Sequence, residues 1–258
     1  SVVIDKSRGG CASIASPVVD FQGRGGTHVR GESSSGFAQK SYAWETWDNN
    51  NDDKDASILG MPAESDWALH GPYTDKTFLR NYITYSRMRE LHGGANGYAM
   101  RVKLVEVIYN QDSGQAVSYN DYRGVYVLME RIKRGNNRID IAKLNSLVTD
   151  PALITGGYIF RRDRTSADGN TPLPVGMHSH TPNALNTAQT NWLTNHLNAF
   201  NNALNGASFA DPVLGYEPYI DVNSFIENWW FVEIMKQIDG YRLSTYFYKD
   251  RGEKIKAS

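Results

Sequence analysis

The chain has 258 residues, enough for one large domain or a two-lobed one with a sizeable core. Its apolar share of 40%, charged share of 21% and formal net charge of −1 are those of a globular protein and give no electrostatic case for nucleic acid. The single cysteine, Cys11, excludes an internal disulfide and a cysteine-based metal site, and no apolar run reaches the roughly 18–20 residues of a membrane span.

Taken in order, residues 1–47 read as β-rich, with candidate strands over 1–6, 16–23, 27–31 and 40–47. A glycine-bearing joint at 23–26 leads to Val29-Arg-Gly-Glu-Ser-Ser-Ser-Gly36. Its Arg30, Ser33 and Ser34 and its backbone N–H groups suit an anion such as phosphate. The acidic loop 48–55 reads as solvated, because its sixth and twelfth positions, Asp53 and Leu59, break the EF-hand pattern. Trp67 anchors a buried strand or turn over 65–69.

Thr74 or Asp75 can cap a helix over 75–91, with Phe78, Leu79, Tyr82, Ile83 and Met88 on its apolar side and Gly93-Gly94 as its stop. Two Val/Leu/Tyr-rich strands follow, 99–109 and 122–131, joined by a polar loop containing Gly114. The basic run 133–138 reads as a solvated turn. Residues 156–160 form a short strand, and His178 and His180 read as surface loop. A helix over 190–204 presents Trp192, Leu193, Leu197, Phe200 and Leu204, with a structural His196 beside Trp192.

The stretch 222–238 carries apolar residues around most of a helix, including Trp229, Trp230 and Ile234, and is expected to be buried on most sides. Asp221 or Asn223 caps its start. Asp239-Gly240 ends it; Asp239 reads either as the helix's terminator alone or, since an acid is disfavoured at a helix's negative end, as a site acid. A strand over 243–248, a hairpin turn at 249–252 and a returning strand close the chain. The expected organisation is α+β: a β-rich half with one helix (1–133) and a mainly helical half (134–258), with a site in the cleft between them.

Six segments in order resemble the CotH kinase family, the spore-coat-protein-H-like proteins with an atypical protein-kinase-like two-lobed fold. They are Val29-Arg-Gly-Glu-Ser-Ser34 with Lys40-Ser-Tyr42; Leu59-Gly-Met-Pro62 with Ser65-Asp-Trp-Ala-Leu69; Leu79-Arg-Asn81; Tyr122-Arg-Gly-Val-Tyr-Val-Leu-Met-Glu130; Gly156-Gly-Tyr158; and Asp239-Gly-Tyr-Arg-Leu-Ser-Thr-Tyr246. The resemblance implies transfer of a phosphoryl group from ATP, with Mg²⁺ or Mn²⁺, to a protein hydroxyl. It casts 1–133 as N-lobe and 134–258 as a partial C-lobe with a catalytic-loop-like turn at 239–246. It implies Lys40 as the phosphate-binding lysine, with Arg30, Ser33 and Ser34 as further phosphate contacts. The strand ending at Glu130 becomes the lobe connection that meets the adenine, and Asp239 the acid that orients or deprotonates the acceptor.

Departures from an ordinary kinase are equally legible. Ser244 stands five residues after Asp239, where Asn would hold metal, and no G-x-G-x-x-G loop is present. Glu90 lies only near the end of the first helix, and a second metal-binding aspartate would be expected beyond Ser258. A catalytically inactive kinase-like domain that binds a protein or surface partner is therefore the alternative. A carbohydrate-binding or carbohydrate-active protein, from the six Trp and fifteen Tyr with Asp239 and Glu233 as paired acids, is the third reading. The abundance of Asn, Gly, Ser, Trp and Tyr points to an extracellular, cell-surface or spore-surface setting.

Overall fold

The computed structural model describes residues 2–3, 12–15, 18–92, 97–111, 116–164 and 169–258. Cys11, Gly93-Gly94, Gly114 and parts of the expected strands over 1–6 and 16–23 lie outside the described residues. The fold is α+β, with twelve strands and three α-helices among the described residues. It divides into two units, Ser1–Arg87 with Met100–Arg131, and Met88–Ala99 with Ile132–Ser258.

In the first unit, β1 (Val2–Val3) and β2 (Phe21–Gln22) form a small antiparallel ribbon. The main sheet is built from β3 (Arg24–Arg30), β4 (Ser41–Trp47), β5 (Asp66–His70), β6 (Val102–Ile108) and β7 (Tyr122–Glu130), in the order β3-β4-β5-β7-β6. Every pairing is antiparallel. Side chains alternate between sheet faces, and both faces are covered. Trp44, Trp67 and Leu128 pack with Phe21, Ile58 and Met61. Ala68, Val127 and Met129 pack with Val102, Met100, Tyr82 and Tyr85.

Tyr82 and Tyr85 belong to α1 (Arg80–His92), which begins five residues later than the sequence suggests. Asp75 does accept the Arg80 backbone N–H at 2.9 Å, but also the Thr77 N–H and hydroxyl, and Phe78 adopts φ 60°. The chain therefore makes a turn before it can wind into helix. Phe78, Leu79 and Ile83 consequently remain 38–41% exposed and do not form a buried apolar side.

In the second unit, β8 (Tyr158–Arg162), β9 (Pro172–Leu173), β10 (Met177–Thr181), β11 (Thr245–Lys249) and β12 (Ile255–Ala257) form an antiparallel sheet in the order β12-β11-β8-β10-β9. The Gly156-Gly157 pair has a steric reason. A Cβ on Gly156 would lie 2.1 Å from the Arg251 backbone nitrogen, and Gly157 has φ +90°. Helix α2 (Thr187–Asn205) starts three residues before the expected Thr190, because Asn186 and Gln189 form a reciprocal capping box. Its Leu193 and Leu197 join Tyr158, Phe160, Ile220 and Ile255 in the core. Trp192 stacks between Tyr158, at 5.9 Å, and His196, at 5.0 Å.

Three expectations are corrected here. His178 and His180 lie on β10 and not in a surface loop; His178 is buried, and His180 Nε2 lies 3.0 Å from the Ile132 carbonyl. The basic run is no simple solvated turn, since Arg138 is only 9% exposed. The last helix, α3 (Val222–Ile234), is neither as long as 222–238 nor buried on most sides. Phe231 and Val232 are buried, but Ile226, Trp229, Trp230 and Ile234 are 47–63% exposed. The helix meets its own unit through one face, on which Ser224 accepts the Ala257 N–H and Phe225 stacks on Phe247.

Candidate functional site

In the first unit, β3 and β4 are joined by a loop that turns on Gly31. Its φ of +95° is left-handed, and a Cβ there would lie 2.0 Å from Ser34 Oγ. The loop continues as a single 3-10 turn, Ser33–Gly36, closed by the Ser35 hydroxyl donating to the Glu32 carbonyl at 2.6 Å. Lys40, the residue before β4, donates its ammonium to the Ser35 carbonyl. The expected lysine and the expected serine loop are therefore brought together. Arg30 ends β3, and its charge acts on His70. The His70 pKa is lowered, first by burial and then by Arg30, so at neutral pH it is held as an uncharged imidazole.

Lys40 also lines a cleft of about 230 Å³ with Gln39, Tyr42, Tyr109, Gln111 and Arg123. Gln39 is fixed by a 2.8 Å bond from its amide to the Val125 carbonyl, and Arg123 by a 3.1 Å bond to the Tyr109 carbonyl. Tyr42 packs 5.7 Å from Tyr109 and 6.2 Å from Tyr126. Burial pushes the Tyr126 phenol up to about 12, so it stays protonated. Two cations, two amides and phenol hydroxyls around one small space suit an anion with several oxygens. Arg123 falls inside a motif quoted above, yet its convergence with Lys40 follows only from sheet pairing. Tyr109 and Gln111 carried no sequence signal.

Glu130 is occupied elsewhere. Its side chain is fully buried, accepting the Arg101 guanidinium and the Arg101 backbone N–H, each at 2.8 Å.

In the second unit, Asp239 lies on the turn expected over 239–246, but α3 stops earlier than expected, at Ile234. Lys236 adopts φ 55°, which breaks the helix after Ile234. The Asp239 carbonyl then accepts the N–H groups of Arg242 and Leu243 at 2.9 and 2.8 Å. Gly240 is required because a Cβ would lie 2.7 Å from Val232. Thr245 Oγ1 donates to the Gly240 carbonyl at 2.8 Å and ties the turn to β11. The Asp239 carboxylate is 49% exposed and pairs with Arg242 at 3.4 Å, a surface contact that holds it only weakly. Ser244 sits at φ 53° in the same turn. Glu233, the other acid of the carbohydrate reading, accepts the Tyr241 hydroxyl at 2.7 Å.

A family description, CotH kinase protein, matches residues 27–257. The chain belongs to the CotH kinase family. The match runs from β3 to the last residue of β12 and so takes in the Lys40 loop, the cleft around Arg123 and the Asp239 turn. No curated protein matches the chain. In this member of the family no described helix is long and apolar enough to cross a membrane. Among the described residues no group of three His, Cys, Asp or Glu side chains is placed to hold a metal ion. A divalent ion bound mainly by phosphate oxygens and water needs only one or two protein carboxylates, and Asp239 has that chemistry.

Proposed function

We propose that this chain is an ATP-dependent phosphotransferase acting on Ser or Thr hydroxyls of a protein, with Mg²⁺ or Mn²⁺ as its metal. The observation that carries the reading is the convergence of Lys40 and Arg123 on one polar cleft in a CotH kinase family member. Phosphoryl transfer is mainly positioning and neutralisation of phosphate charge. Lys40 and Arg123 neutralise phosphate oxygens, the Gln39 and Gln111 amides orient them, and Arg30, Ser33 and Ser34 offer further donors on the neighbouring loop. Asp239 accepts a hydrogen bond from the acceptor hydroxyl and takes its proton as the O–P bond forms. The bond from the γ-phosphorus to the bridging oxygen breaks, and ADP leaves. A bound divalent ion would neutralise charge on the phosphates, with Asp239 as its protein carboxylate and the Ser244 hydroxyl beside it. The Asn-, Gly- and aromatic-rich composition supports an extracellular or surface setting for the protein acceptor.

The test is thermal stability with ATP and Mg²⁺, together with phosphate transfer to a mixed protein acceptor. Wild type should gain several degrees at saturating nucleotide. Lys40→Ala should weaken nucleotide binding at least about tenfold, near 1.4 kcal/mol. Asp239→Ala should lose transfer. A wild-type chain with neither nucleotide shift nor transfer overturns the reading in favour of a kinase-like binding domain.

A further inference from the structure

The β3–β4 pair has two ends. Antiparallel register sets Arg30 opposite Ser41 at the end that carries Lys40, and Arg24 opposite Trp47 at the other. Seven residues of strand separate the two ends by about 20 Å. At the far end lies a second and larger cleft, about 680 Å³, which none of the phosphate-binding residues lines.

Nine residues line it, and they are of an unusual mix. Two, Gly23 and Gly25, have no side chain, so part of the wall is bare backbone. Trp47 supplies one large flat apolar surface. Its indole lies against Gly26, where a Cβ would come within 2.3 Å of the ring. The indole N–H donates to Glu45 Oε2 at 3.2 Å, which fixes the ring's orientation. Gln22 and Asn49 bring amides, Lys54 and Arg24 cations, and Asp48 a carboxylate. The rim is preset: Asp48 Oδ1 accepts the Asn50 and Asp52 N–H groups at 2.7 and 3.0 Å, and the Arg24 guanidinium donates to Asn51 Oδ1.

This lining discriminates between ligand classes. An anion site would be expected to lack the Asp48 carboxylate. An apolar peptide would find only Val2 and Trp47 as apolar side chains. A sugar ring has a C–H face that stacks on an aromatic plane and an edge of hydroxyls that both donate and accept. It matches one aromatic plane bordered by amides and by charges of both signs. The volume lies in the range of small-ligand sites, about 300–1,000 Å³.

We infer that this outer cleft of the first unit is a binding site for a neutral saccharide, with Trp47 as its stacking surface and Gln22, Asp48 and Asn49 as its hydroxyl contacts. The site is separate from the Lys40 cleft and does not depend on phosphotransfer.

Isothermal titration of the 258-residue chain with cello-, malto- and chito-hexaose tests it, with oligogalacturonate as the acidic control. At least one neutral hexaose should bind saturably, and Trp47→Ala should weaken it at least about tenfold. Because Trp47 also packs on the sheet, the double variant Gln22→Ala/Asn49→Ala provides a second reading. Both side chains are exposed, so the melting temperature should hold while sugar affinity falls. ATP should not compete. Absence of binding by every neutral hexaose, binding of oligogalacturonate alone, competition by ATP, or affinity unchanged in both variants would overturn the assignment.

Discussion

Strand β4 and helix α3 each carry two tryptophans, and they are used differently. On β4, Trp44 is 5% exposed in the sheet, while Trp47, at the strand's end, is half-buried and lines the outer cleft. On α3, Trp229 and Trp230 are 47% and 52% exposed. The strand is hydrogen-bonded on both sides, to β3 and β5, and apolar layers close both faces of its sheet. The helix satisfies its backbone internally, so nothing obliges its whole circumference to find partners. Its Phe225, Phe231 and Val232 make the contacts, and the rest of its apolar surface stays outward. Hydrophobicity alone does not rank burial; the number of sides on which an element is covered does.

Substitutions can break or sharpen that contrast. Trp67→Ala removes a fully buried indole from the β5 layer that packs on Trp44, at 6.5 Å. A loss of about 3–5 kcal/mol is expected, read by chemical denaturation. Glu130→Ala leaves the Arg101 guanidinium and N–H without their carboxylate, for about 3 kcal/mol. A loss under about 1 kcal/mol would show that this pair is not structural.

A pH effect should be smaller. Burial, and then the Lys249 charge, lower the His196 pKa from 6.5 to about 4. A folded-state pKa below the unfolded one means the unfolded chain binds more protons between those values. This contribution is therefore complete above about pH 6.5 and is lost as the pH falls toward 4. The melting temperature of His196→Phe should fall less steeply than that of wild type between pH 7 and 4.5. Equal slopes would remove His196 as a source of acid sensitivity. The smallest effect is expected for Trp230→Ser, within about 0.5 kcal/mol, because half of that side chain is already in water. A large loss there would mean that α3 is covered in solution.

Legibility in the sequence followed the range of the interactions. The aromatic alternation of 41–47, the apolar run of 122–130 and the period of α2 are local patterns, and each element formed where its pattern lies. The boundaries of α1 and α3 moved where a single residue took a left-handed conformation. Phe78 delayed α1 and Lys236 ended α3 early, and neither residue type announces that choice. The serine loop with Lys40 was legible because both parts lie within eleven residues, 30–40, of one chain segment. The cleft around Lys40 was not, since Tyr109, Gln111 and Arg123 reach it through strands β6 and β7, far along the chain.

By itself the sequence determined the α+β class, the type of most elements though not of β10, and membership of the CotH kinase family, because each depends on residue identity and short spacing. Tertiary structure alone decided which faces are covered, that α3 stops short of Asp239 and that Thr245 braces the Asp239 turn, and that Lys40 shares a cleft with Arg123. Those outcomes depend on pairing between distant segments, and a linear pattern carries no record of which surfaces meet.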